Sequence, residues 1–81
     1  MPTIYFLDTP EFAPVVGLAR HAGMEVSRQG DYLAARSGEP EVVLERRHAP
    51  VRPSIWYAAL TGGMDGRIVV FNDDELRIAD A

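Results

Sequence analysis

The residues best suited to chemistry in this sequence are basic side chains crowded into one short segment. They are Arg46, Arg47, His48 and Arg52. Guanidinium groups donate paired N–H bonds to carboxylate or phosphate oxygens, so this cluster could clamp an acidic ligand. Three carboxylates lie nearby, at Glu39, Glu41 and Glu45. These glutamates could equally neutralise the arginines on an ordinary solvated face.

Three closely spaced glycines, Gly62, Gly63 and Gly66, invite comparison with a phosphate-binding loop, because glycine lets backbone amides curl around an anion. A P-loop or dinucleotide loop runs from a strand into a helix, and a P-loop also carries a lysine. Here a predicted helix precedes the glycines and a predicted strand follows them, and the chain has no lysine. We therefore interpret the segment as a helix end followed by a turn.

Metal-binding and nucleophile signatures are weak. His21 and His48 are the only histidines, and neither has a partner at a spacing typical of zinc sites. The acidic run 73–75 is typical of a solvated turn and lacks the ligand pattern of a calcium loop. The chain has no cysteine, which excludes thiolate ligands and a cysteine nucleophile.

Two further polar side chains have structural explanations. We interpret Ser54 and Asp8 as helix N-caps, with Glu11 at a capping-box spacing after Asp8. We therefore predict no catalytic residue, no metal and no cofactor, and favour a chain that is not an enzyme.

Aromatic residues indicate where partners could bind. Trp56 and Tyr57 are adjacent, so if Trp56 packs inward, Tyr57 points sideways or outward and could anchor a protein partner. A half-exposed tyrosine at the edge of the core is the simpler alternative. Tyr5 and Phe6 are of the aromatic type on which RNA-recognition sheets stack bases. The net charge of −4 and the lack of a matching motif in 32–37 argue against nucleic acid.

Length and composition bound the remaining classes. Eighty-one residues, 47% of them hydrophobic and 25% charged, predict one globular domain over 1–81. The apolar runs are far shorter than the roughly 20 residues needed to span a bilayer. No basic and then apolar leader opens the chain. We expect a cytoplasmic protein without membrane contact.

Local patterns predict six strands and two helices. The predicted strands are Thr3 to Leu7, Met24 to Gln29, Tyr32 to Ser37, Glu41 to Arg47, Arg67 to Asn72 and Glu75 to Ala79. One helix begins near Ala13 and ends before Gly23, and the other is capped by Ser54 and stopped by the glycine pair. Residues 41–47 could alternatively form a helix, since the periodicity of three contiguous apolar residues does not distinguish a strand from a helix.

The resulting order is β-α-β-β-β-α-β-β. It predicts an α+β domain with a mixed sheet and two helices packed on one face. Candidate core positions in the last hairpin are Ile68, Val70, Leu76 and Ile78.

Three functions fit this reading. The first is a non-enzymatic protein-interaction module, such as a homodimer, that uses a sheet edge or the surface around Tyr57 and the Arg46 to Arg52 loop. The second is a small anion-binding or ligand-binding domain, or a small enzyme, that uses Arg46, Arg47, His48 and Arg52. The third and least supported is RNA binding through Tyr5.

Overall fold

The computed structural model describes residues 1–81, and its elements follow the predicted order with one short strand added. The strands are β1 (Thr3–Leu7), β2 (Glu25–Gln29), β3 (Tyr32–Arg36), β4 (Glu41–Glu45), β5 (Met64–Asp65), β6 (Arg67–Phe71) and β7 (Glu75–Ala79). The helices are α1 (Ala13–His21) and α2 (Pro53–Tyr57), with short 3₁₀ turns at Pro10–Phe12 and Arg46–His48. The α+β class is confirmed.

The strands form two antiparallel sheets in place of the single mixed sheet that was predicted. The first sheet has the order β2-β3-β1-β5 and the second has the order β4-β7-β6. The difference arises because β3, the second strand of the first hairpin, lies next to β1, with Ala34 opposite Tyr5. Strand β1 therefore has an antiparallel neighbour, β3, where the predicted mixed sheet required a parallel one.

The chain passes from the first sheet to the second twice, between β3 and β4 and, through Gly66, between β5 and β6. Its φ of 128° lies in a region that side chains rarely adopt. A β-carbon there would also collide with the main-chain oxygen of Ala79. Glycine is therefore required at the second of these crossings.

One hydrophobic core lies between the sheets and the helices. Its fully buried large side chains include Ile4, Phe6, Val15, Leu44, Trp56, Leu76 and Ile78. The first sheet contributes alternate residues of β1, and the second contributes alternate residues of β4 and β7. Both helices bury side chains in this same core, as an amphipathic helix requires.

Helix α1 begins at Ala13, as predicted, with Pro14 in its first turn. The predicted N-cap at Asp8 is not formed, since the turn before the helix starts after Thr9 and has no side-chain cap bond. Asp8 instead forms an ion pair with Arg28 of β2, and its amide donates to the main-chain oxygen of Asp31 in the turn between β2 and β3.

Helix α2 is shorter than predicted and has a different cap. It begins at Pro53 after Arg52, so Ser54 lies inside the first turn and does not cap it. It ends at Tyr57, well before the glycine pair. After Tyr57 the chain continues in successive tight turns. In each of them an amide donates a hydrogen bond to the oxygen three residues before it, as Thr61 does to Ala58.

Residues 41–45 are a strand and not a helix, because pairing with β7 decides the ambiguity. Val42 lies opposite Ile78 and Leu44 opposite Leu76, which joins two apolar faces. The strand ends at Glu45, two residues earlier than predicted.

Neither helix is long and apolar enough to cross a membrane.

Candidate functional site

Arg46 is a structural tie between the 3₁₀ turn and two neighbouring segments. Its Nε and Nη2 donate to the main-chain oxygen of Val51 at 3.2 and 2.9 Å, and Nη1 donates to the oxygen of Asp73 at 3.2 Å. Its own amide donates to the oxygen of Asp74 at 2.9 Å. Three of its five side-chain N–H groups are therefore already used by the protein.

Arg47 and His48 share one carboxylate. Arg47 places Nε and Nη2 at 2.9 and 2.8 Å from Glu45 Oε2, and His48 Nε2 lies 3.1 Å from the same oxygen. The hydrogen bond from Arg47 lowers the pKa of Glu45 below its usual value. The His48 ring also lies beside His21 at the end of α1, with centroids 4.4 Å apart. Glu45 thus neutralises part of the basic cluster.

Arg52 is exposed and forms no ion pair with any of the carboxylates. It borders an open depression of about 660 Å³ together with Arg46, Arg47, Pro50, Asp73 and Asp74. Since acidic and basic groups face the same depression, it is not a uniformly positive surface. Of the predicted basic cluster, only Arg52 and the exposed side of Arg47 are left to meet an external anion.

Tyr57 is partly exposed while its neighbour Trp56 is buried, as the sequence predicts. Half of its surface is exposed, and its ring lies 5.5 Å from that of Phe71. Its hydroxyl donates to Asp73 Oδ1. This hydrogen bond raises the pKa of Tyr57 above its usual value. Tyr57 therefore lies at the edge of the core, beside the turn that follows β6.

The two aromatic residues of β1 face opposite ways. Phe6 is buried in the core, whereas Tyr5 lies on the outer face of the first sheet and donates to Asp65 Oδ2 at 2.8 Å. Glu25 and Arg36 border the same face. Because Asp65 engages Tyr5 and Glu25 offsets the charge of Arg36, this face lacks the clustered basic side chains that nucleic-acid binding needs.

Strand β6 is an open edge of the second sheet. It pairs with β7 on one side and with no strand on the other. Ile68 is 52% exposed and Val69 is 41% exposed, although the sequence placed Ile68 in the core. Leu76 and Ile78, on the neighbouring central strand, are fully buried as predicted. Ile68 escapes burial because no third strand or helix covers the edge on which it lies.

The exposed apolar side chains lie on both sides of this edge. Ile68 is opposite buried Ile78, so it belongs to the inner face, whereas Val70 is opposite Arg77 on the outer face. Val69 is the extra residue of a β-bulge between them. We call the unpaired side of Arg67–Phe71 the β6 edge.

The other sheet edges are protected. Strand β2 exposes polar or charged side chains at four of its five positions, and β5 has only two residues. Strand β4 begins and ends in glutamate and lies near α1. Charge and short length are common means of keeping an edge from pairing. The β6 edge is the one that combines length with exposed β-branched residues.

Sequence reasoning identified the loop residues but missed the β6 edge. Ile68 and Val70 were predicted as core positions of the last hairpin, but Ile68 is exposed and Val70 is only half-buried. A last hairpin is, however, a place where a sheet commonly ends. The partner of Tyr57, Asp73, was interpreted only as part of a solvated turn.

The comparisons with known proteins add no relative to this geometry. No family model, no curated protein and no solved structure matches the chain.

Proposed function

We propose that this chain is a non-enzymatic protein-interaction module that binds an extended segment of its partner along the β6 edge. The observation that carries the proposal is the exposure of Ile68 and Val69 on an unpaired strand edge. A partner strand added there would pair with free backbone groups and cover apolar side chains on both faces at once. A partner that packed against one face of the sheet would cover the apolar side chains on that face only.

The β-bulge at Val69 bears on how a partner would bind. Bulges twist a strand and often protect an edge from pairing. Here the bulge is not accompanied by a charged or proline residue within the strand after Arg67. The bulge therefore limits the registers that a partner strand can adopt. It does not shield the apolar side chains.

An anion-binding site in the Arg46 to Arg52 loop has less support. Arg46 donates to main-chain oxygens, and Glu45 occupies Arg47 and His48. A ligand there would have to displace these contacts or rely on Arg52, which alone is a weak anchor for a phosphate or carboxylate.

The proposed compartment is the cytoplasm, as expected from the sequence, and cell fractionation tests it.

The test is site-specific photo-crosslinking of the full chain in cells that express it. A photoreactive amino acid replaces Ile68 on β6 in one variant and Ser27 on the exposed edge strand β2 in the matched control. Both positions are solvent-exposed, so each side chain can be changed without opening the core. Circular dichroism of the purified variants confirms that both retain the fold.

The proposal expects protein adducts at position 68 and few or none at position 27. Adducts to a second copy or to another protein both support binding at the β6 edge. Equal yields at the two positions, or no adduct at position 68, would contradict it.

A further inference from the structure

We infer that the occupant of the β6 edge is a second copy of this chain, which pairs its own β6 antiparallel to the first. The inference rests on the proposed use of this edge and adds the identity and direction of the partner strand. Two copies related by a two-fold axis make every contact twice, so even modest contacts are doubled.

The charges at the two ends of β6 are opposite in sign. Arg67 begins the strand, is exposed, and forms no ion pair within the protein. Asp73 and Asp74 follow the strand in the turn before β7 and are also exposed. Asp73 uses Oδ1 to accept from Tyr57, and no hydrogen bond within the protein uses its Oδ2. A free cation and a free carboxylate oxygen therefore flank the apolar segment.

Antiparallel pairing brings these opposite charges together. Arg67 begins β6, and Asp73 lies in the turn just beyond the other end of the strand. An antiparallel second copy therefore brings the Arg67 end of each chain beside the Asp73 end of the other. Opposite charges directly across an antiparallel pair are favourable, and like charges are unfavourable. Parallel pairing would instead set Arg67 beside Arg67 of the second copy.

Antiparallel pairing also brings apolar residues together in the middle of the interface. The segment Val69 to Phe71 of each copy faces the same segment of the other, so β-branched and aromatic side chains meet across the new strand pair. Such pairs are among the favourable cross-strand neighbours in sheets. The two three-stranded sheets would become one six-stranded sheet, whose outer strands are the two copies of β4.

The size of the edge predicts weak, reversible association. Five residues of paired strand offer less area than the about 1,200–2,000 Å² that stable protein complexes bury. The dimer should therefore populate at high protein concentration and low salt, since salt screens the exposed Arg67–Asp73 pairs. Sedimentation equilibrium over a wide concentration range measures it directly.

A charge exchange between two variants tests the antiparallel direction of the strand pairing. We expect Arg67→Asp alone and Asp73→Arg alone each to weaken self-association about tenfold, because each puts like charges opposite each other twice. Mixing the two variants should restore association, since every facing pair is then again of opposite sign. The matched control for Arg67→Asp is Arg36→Asp on β3, which changes the net charge by the same amount but lies in the first sheet.

Three results would overturn the inference: a native chain that stays monomeric at millimolar concentration, a mixture that associates no better than either variant alone, or an equal loss in Arg36→Asp. Circular dichroism checks that each variant is folded. If photo-crosslinks at position 68 capture only other proteins while the native chain stays monomeric, the interaction function survives and the homodimer does not. If position 68 gives no crosslink, the interaction function itself fails.

Discussion

Trp56 donates its indole N–H to the main-chain oxygen of Asn72 across 2.6 Å, which joins α2 to the turn after β6. The Trp56 ring is fully buried and meets Phe71 edge-on, with centroids 5.8 Å apart. Arg46 donates to the oxygen of Asp73 in the same turn. The loop, the second helix and the last hairpin are therefore joined at one point in the chain, next to the β6 edge.

We predict that Trp56→Phe lowers the free energy of unfolding by about 2–4 kcal/mol, since it removes buried volume and leaves the Asn72 oxygen without its donor. Urea unfolding followed by circular dichroism measures it, because the variant lacks the only tryptophan. Tyr57→Phe, which removes an exposed hydroxyl contact, should cost much less. Similar losses in both variants would argue against Trp56 as the anchor.

Arg46 and Arg47 should respond differently to the same conservative change. Lysine cannot reproduce the planar set of donors that Arg46 directs at Val51 and Asp73, so Arg46→Lys should cost about 1–3 kcal/mol. Arg47→Lys keeps an exposed charge beside Glu45 and should change stability by less than about 0.5 kcal/mol. Urea unfolding of the pair decides. A larger loss for Arg47→Lys would contradict the assignment of Arg46 as the tie.

Glu45 should contribute stability that depends on pH. Its pKa in the folded chain is lowered by the Arg47 hydrogen bond from a reference value of 4.5. The contribution is therefore present above the unfolded value and is lost as the pH falls through the folded one. The urea midpoint of the native chain should exceed that of Glu45→Gln at neutral pH, and the two should converge in acid. A difference independent of pH would refute this, and repeating both measurements with His48→Gln separates the histidine.

Two tyrosines should ionise above the reference value of 10.0. Hydrogen bonds to Asp73 and Asp65 raise the pKa values of Tyr57 and Tyr5, respectively. Each bond stabilises the fold below the unfolded pKa and is lost as the pH rises through the folded one. In an ultraviolet titration, Asp73→Asn should move one tyrosine back toward 10.0 and Asp65→Asn should move the other. An unchanged titration in both variants would contradict these contacts.

Two glycine substitutions should have opposite effects. A β-carbon at Gly62 would collide with the main-chain oxygen of Tyr5, so Gly62→Ala should destabilise the fold by about 2 kcal/mol or more. Gly17 lies in α1 with open space around it, so Gly17→Ala should stabilise by about 0.5–1 kcal/mol. Thermal unfolding of the two variants compares them. Equal effects would mean that the chain does not approach Gly62 as closely as described.

The predicted strands and helices were largely confirmed because their signals are local. Thr3 to Leu7 and Glu75 to Ala79 have the strand bounds that their residue types indicate. The start of α1 near Ala13 follows from Pro14, because a helix tolerates proline in its first turn but not in its interior. Caps were predicted less well, since Asp8 and Ser54 have the right residue type but other neighbours or positions decide their contacts.

The candidate site was only partly visible in the sequence. The basic cluster from Arg46 to Arg52 was apparent from composition. That Arg46 donates to oxygens of Val51 and Asp73 was not, because those atoms come together only when the last hairpin packs against the loop. The exposure of Ile68 was also hidden, since an apolar run has the same appearance in a central strand and in an edge strand.

The sequence by itself determined the α+β class, the order of elements and the burial of Trp56, because alternation, proline and glycine act on nearby residues. Only the tertiary structure decided that two antiparallel sheets form, that Gly66 joins them, and that β6 is left at an edge. Strand pairing is selected among distant segments by the fit of whole apolar faces. A local pattern records which face is apolar but not which strand will lie beside it.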